Sequence, residues 1–101
     1  MQERITRDEI IRIYNVELSF LDSLEESGLL HPEMENNIKY IVYEELPALE
    51  RFVNWHYDLE VNLPGIEVIQ NLLQQMDALR TENRRLLKEA LFRGRRFDEE
   101  Y

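Results

Sequence analysis

Beyond Gly65 no glycine or proline interrupts the chain until Gly94, and apolar residues recur through that stretch at alternating steps of three and four. Ile69, Met76, Asn83 and Ala90 fall at one seam position of a heptad, and Leu72, Leu79 and Leu86 at the other. Ile66, Leu73 and Leu87 widen the stripe. Pro64 fits the first helical position, so the pattern predicts one helix from about Gly65 to Phe92 or Arg93, on the order of 40 Å long. A helix of that length cannot bury its distal half against the small body that precedes it, so a partner is expected, most simply a second copy. Asn83 in the seam fits that expectation, because a buried Asn selects register when it meets another Asn across an interface. Rotated outward, it would be a plain surface residue. The heptads suit parallel and antiparallel pairing alike.

The rest of the chain must supply the core. Its full length of 101 residues is a one-domain length. Leu, Ile, Val and Phe account for 32 residues, enough to fold but for a small core only. Gly and Pro together number six, which favours helices with short connections. Cysteine is absent, which excludes a disulfide framework, a thiolate zinc site and a cysteine nucleophile. No apolar run is long enough for a membrane span or a signal peptide, so a cytoplasmic location is expected.

Thr6-Arg7-Asp8-Glu9 has the form of a capping box, and Ile10, Ile11, Ile13 and Tyr14 follow it, predicting a helix over Arg7–Tyr14 that ends at Asn15-Val16. A second helix is predicted over Glu17–Ser27, with Leu18, Phe20, Leu21 and Leu24 as its buried stripe and Gly28 just past its end. Two short helices joined by a tight turn make a helix-turn-helix candidate. Leu29–Pro32 and Ile38–Tyr43 are then expected to form a two-stranded hairpin, a wing, across the polar Glu33–Asn37 segment. From Glu44 another helix should reach about Leu59, burying Leu46, Leu49, Phe52, Val53 and His56 with Trp55 and Tyr57 off the stripe. The expected organisation is a winged body over residues 1–62, a dimerisation helix over 63–93 and a charged, fraying tail over 94–101.

Charge is unevenly spread. The chain carries -9 overall, but Ile13–Leu79 holds 13 carboxylates against Lys39 and Arg51 alone. Arg80–Tyr101 holds seven basic and five acidic residues. Acidity keeps a protein soluble; here it also suits a basic partner and opposes nucleic acid, whose phosphates are met by Lys and Arg. The second helix sharpens the point. A groove-reading helix offers Arg, Lys, Asn or Gln, whereas the charges between Val16 and Leu30 are Glu17, Asp22, Glu25 and Glu26.

Catalysis is not expected. The two histidines, His31 and His56, stand alone in a turn and on a helical stripe. There is no phosphate-binding glycine loop, no zinc-protease or nucleophile-elbow motif and no calcium loop. The acidic pairs fall at helix ends or on solvated faces. No metal, cofactor, membrane or small-molecule substrate is implied.

Ile5-Thr6, the two short helices, Leu21 to Gly28-Leu29-Leu30-His31-Pro32, the segment closing at Tyr43, and Glu44-Glu45-Leu46 with Leu49 resemble the MerR-type winged helix-turn-helix. Asp58-Leu59, Leu63-Pro64-Gly65-Ile66 and Glu82-Asn83-Arg84 are similar to the chaperone-modulator branch, the CbpM family. The resemblance covers about residues 5–92. It implies a mainly α fold, a MerR-like winged helix-turn-helix with a small β-hairpin wing and a long C-terminal coiled-coil helix. It further implies a small dimer that binds and inhibits the J-domain of a curved-DNA-binding-protein-type (DnaJ-like) co-chaperone. DNA-binding members of the pattern tend to carry Arg where this chain has Asp22 and Ile41, so both positions depart from it. A J-domain is, within that family, basic on the helix that meets its chaperone, and an acidic surface would attract it.

The expected partner-binding residues are therefore Glu17, Asp22, Glu25 and Glu26, and the expected dimer interface is Ile69, Leu72, Met76, Leu79, Asn83 and Leu86. The alternative for the same elements is a MerR-like dimeric DNA-binding transcription regulator.

Overall fold

The computed structural model describes residues 3–100, with side chains to residue 94. It is mainly helical. In chain order it has β1 (Arg4–Thr6), α1 (Arg7–Tyr14), α2 (Leu18–Glu26), β2 (Glu33–Glu35), β3 (Ile38–Val42), a 3-10 turn (Tyr43–Glu45), α3 (Leu46–Val53), a π-helical turn (Asn54–Asp58) and α4 (Leu63–Glu100). The chain divides into two compact units, one ending at Glu67 and one beginning at Val68.

α1 starts as its sequence requires. The Thr6 hydroxyl oxygen accepts the Glu9 N–H at 3.1 Å and donates to the Glu9 carboxylate at 3.0 Å. The capping box thus closes through side chains rather than through a bond from Glu9 to the Thr6 amide. Asn15 ends the helix in the left-handed region, φ 53, a conformation Asn tolerates. α2 ends in a Schellman motif. The Leu29 N–H reaches the Leu24 carbonyl at 2.9 Å, and the Gly28 N–H reaches Glu25 at 3.1 Å. Gly28 stands at φ 79, which a side chain would strain.

The wing differs from expectation in two ways. Its first strand is Glu33–Glu35, and Leu29–Pro32 is not a strand. The Leu30 N–H is held by the Leu24 carbonyl at 3.2 Å, and Pro32 has no N–H to give to a ladder. Glu33-Met34-Glu35 looks like a loop in sequence because every residue of an edge strand can be exposed, as all three are here. Asn36 and Asn37, at φ 52 and 65, make the tight turn into β3. The sheet also has three strands rather than two, in the order β1-β3-β2, both pairings antiparallel. Ile5 lies opposite Ile41 on the inner face, and both are buried.

The helix expected over Glu44–Leu59 breaks into three pieces. Pro47 lies in the first turn of α3, and the π turn follows Val53, with the Leu59 N–H returning to the Asn54 carbonyl at 3.2 Å. The wider turn rotates the next side chains relative to a continuous α-helix. Trp55, placed off the stripe by periodicity, packs against the core and meets Phe52 at 5.9 Å between ring centroids. His56 stacks on Phe20 at 4.4 Å, and Tyr57 meets the same ring edge-on at 5.4 Å.

The core is Ile10, Leu21, Leu24, Leu30, Leu49, Phe52 and their neighbours, joined by Ile66 from the first turn of α4. Two stripe residues stay outside it: Ile13 and Leu18 are exposed. Asn62 caps α4 through its side chain, accepting the Gly65 N–H at 2.9 Å, which puts Pro64 one position later than expected. A Cβ at Gly65 would come within 2.7 Å of the Val61 side chain. α4 continues past Arg93 and Gly94 to Glu100. A single glycine costs a helix only about 1 kcal/mol, and the residues after it are helix formers. The side chains of the expected tail beyond Gly94, and all of Tyr101, lie outside the described residues.

Candidate functional site

The second helix of the helix-turn-helix, α2, turns Phe20, Leu21 and Leu24 inward. That leaves Leu18, Ser19, Asp22, Ser23 and Glu26 at least partly exposed. Of the four carboxylates expected to receive a partner, Glu17 is the N-cap of α2 and exposed, and Glu26 is exposed at its C-terminal end. Asp22 is half-exposed and accepts a hydrogen bond from Arg7 at 2.5 Å. Glu25 is committed inward, with its side chain only 10% exposed. Its Oε1 accepts from Lys39 Nζ at 3.0 Å, while Oε2 lies 3.2 Å from Arg7 Nη1 as an ion contact without hydrogen-bond alignment. Glu25 therefore ties α2 to the start of α1 and to the wing instead of facing a partner.

Replacing Glu25 with Ala leaves Lys39 without its carboxylate and Arg7 with Asp22 alone, and should cost about 1–3 kcal/mol. Asp22→Ala, at a site 47% exposed, should cost no more than about 0.5 kcal/mol. Thermal melts of both variants check the difference; equal losses would mean that Glu25 has no such linking role.

The wing is neutralised in the same way. Arg4 reaches across the outer face of the sheet to Glu35 at 2.7 Å and Glu33 at 3.3 Å, with its guanidinium 4.2 Å from the centre of the Tyr40 ring. The hydrogen bond to Glu35, with that to Glu33, raises the Arg4 pKa further above its ordinary value. Arg4, Arg7 and Lys39, the cations of the sheet and of the first turn of α1, thus each carry a carboxylate partner. Ile41 is buried at the centre of the sheet. Where the resemblance implies Arg in DNA-binding members, this chain thus places a core residue, opposite Ile5.

The histidines have structural roles. His56 Nδ1 donates to the Val61 carbonyl at 3.0 Å, and the Tyr57 hydroxyl accepts the Glu17 N–H at 2.9 Å. The Glu45 carboxylate receives the His31 N–H at 3.2 Å and lies 3.0 Å from its Nδ1. Tyr14 has a raised pKa, from partial burial first and the nearby Glu50 second. Among the described residues no group of three metal-ligating side chains comes together, and no helix is long and apolar enough to cross a membrane.

A depression of 350 Å³ lies between the first turn of α1, the start of α2 and the wing. Its apolar lining is Leu18, Met34 and Ile38; Thr6, Arg7, Asp8, Asn37 and Lys39 complete it. Sequence periodicity assigned Leu18 to the core and Met34 and Ile38 to a turn and a strand, so none of the three stood out. The usable signal was Met34, an apolar residue alternating with Glu33 and Glu35.

On α4, Leu72, Met76, Leu79, Asn83 and Leu86 of the expected dimer seam are exposed and Ile69 is half-buried. Arg85, off that seam, binds Glu82 at 2.5 Å and Glu89 at 2.6 Å. Its hydrogen bond holds the Glu82 carboxyl below its usual range.

The family model described as MerR HTH family regulatory protein matches residues 5–88. The chain belongs to the MerR helix-turn-helix family. Curated proteins and solved structures give no match to the chain. The match spans the whole helix-turn-helix, the wing and most of α4. The family is described as one of regulatory proteins.

Proposed function

We propose that this MerR-family chain is a non-enzymatic modulator of the CbpM type, which binds the J-domain of a curved-DNA-binding-protein-type co-chaperone and inhibits it. The supporting observation is the exposed face of α2. It offers Leu18, Ser19, Asp22, Ser23 and Glu26, with no Arg, Lys, Asn or Gln for a base edge or phosphate. The nearest cation, Arg7, is taken up by Asp22 and Glu25. The choice of a J-domain rests on the sequence resemblance and on charge complementarity with a basic helix. One other reading fits a helix-turn-helix regulatory family, a dimeric DNA-binding regulator. The active species under either reading is a homodimer through α4, with Ile69, Leu72, Met76, Leu79, Asn83 and Leu86 as its seam.

Titrating the protein with the J-domain and with duplex DNA, each at two salt concentrations, separates the two. Exposed ion pairs contribute about 0.2–1 kcal/mol each. Asp22→Lys combined with Glu26→Lys should thus weaken J-domain binding about three- to tenfold and flatten its salt dependence. Salt-dependent DNA binding by the parent, strengthened by the same two substitutions and unaccompanied by J-domain binding, would replace the modulator reading with the regulator.

A further inference from the structure

We propose that the groove bounded by α1, α2 and the wing is the docking site for a basic amphipathic helix of a partner protein. The helix would seat an apolar side chain against Leu18, Met34 and Ile38 and lay its cations along Asp22 and Glu26. This deepens the protein-binding reading above and rests on it.

Single exposed apolar residues are ordinary on a protein surface. Here three of them, from three separate elements, line one depression: Leu18 is 52% exposed, Met34 62% and Ile38 46%. The fold does not ask for them. Leu18 opens α2, where a polar or acidic residue would satisfy the free N–H groups better. Met34 sits on an edge strand between two glutamates, where a third polar residue would protect the edge. Ile38 directly follows the tight turn. A volume of 350 Å³ is at the small end of the range for ligand sites, a fit for one or two side chains.

Charge selects the occupant. The rim cations are met by carboxylates, Arg7 by Asp22 and Glu25 and Lys39 by Glu25, so they do not draw an anion into the groove; Asp22 binds Arg7 through Oδ1 and remains 47% exposed. Leu18, Asp22 and Glu26 are spaced by four on one face of α2 and form a continuous row, apolar at the groove and acidic beyond it. A facing helix matches that row with an apolar residue followed by Lys or Arg at intervals of three and four, the helix-in-groove mode of recognition. A nucleic-acid backbone would meet the carboxylates instead.

The test uses the full chain with two probes: the J-domain of its cell's curved-DNA-binding-protein-type co-chaperone, and a synthetic Leu–Lys amphipathic helical peptide. The variant is Leu18→Gln with Met34→Thr and Ile38→Thr, which keeps helix and strand propensities, and a matching melting curve and circular dichroism establish its fold. Leu59→Gln, an equally exposed apolar change in the connector before α4, is the control. The groove variant should bind both probes at least about tenfold more weakly, the loss typical of a central apolar contact, while Leu59→Gln stays within about twofold. In the parent, the Met34 methyl resonance should shift on titration. If the parent binds the J-domain and the groove variant binds it equally well, the groove is not the site and the modulator reading stands. If the parent binds the peptide through the groove but ignores the J-domain, the groove proposal stands and the co-chaperone reading falls. If the parent binds neither probe, or binds the peptide without a Met34 shift, the groove proposal is overturned.

Discussion

Leu79→Asp should convert a dimer of this protein into separate chains, with the proposed dissociation constant raised at least about a hundredfold. Leu79 lies 68% exposed on α4 in a single chain, so the substitution removes nothing from the core of the body. The change in helix propensity is worth only a few tenths of a kcal/mol. In a paired seam the same site would be covered on both copies. Each would lose roughly 1.5–3 kcal/mol of leucine burial, and each carboxylate would be desolvated without a partner. Leu72 and Leu86 hold the same seam position and are exposed in the single chain too. Light scattering or sedimentation at micromolar concentration reads the result. The distal part of α4 should lose helicity as well, because a helix that makes no tertiary contact is only marginally stable. A parent that already sediments as a single chain would overturn the dimer.

Phe52→Ala should cost about 3–5 kcal/mol, the range for truncating a fully buried aromatic ring. Phe52 is 1% exposed, on the inward face of α3 among Leu49, Leu24 and Ile10. A small body has a total stability of only about 5–15 kcal/mol. At roughly 4–8 °C per kcal/mol, the melting midpoint should fall by about 12–40 °C, and partial unfolding at growth temperature is expected. Trp55 is the one tryptophan in the chain and its ring lies 5.9 Å from Phe52, so its emission should report the transition directly. A loss below about 1 kcal/mol would mean that the core repacks around the vacancy.

Local chemistry carried much of this fold in the sequence alone. Thr6 and Glu9 mark the start of α1 because a cap needs only residues three apart. Gly28 marks the end of α2 because a positive φ needs only the residue that occupies it. The long helix follows from an unbroken spacing of three and four. Each of these signals is complete within a few residues of chain. The lack of basic residues on α2 was equally legible, since it depends on composition and not on who meets whom.

What the tertiary structure decided is which groups meet across the chain. β1 forms only because Arg4–Thr6 finds β3 more than thirty positions later, and three residues carry too little pattern to announce a strand. Glu25 looked like its neighbours Asp22 and Glu26, yet Arg7 and Lys39 converge on it and turn it into an internal strut. Leu18 and Ile13 share the helical spacing of buried residues but lie where no other element covers them. The π turn brings Trp55 against the core and Tyr57 to the edge of Phe20, although 3.6-residue counting places both off the buried stripe; His56, on that stripe, stacks on the same ring. Periodicity states which residues share a face. Whether that face is covered, and which carboxylate is neutralised, depends on how distant segments pack, a long-range property that no short window of sequence contains.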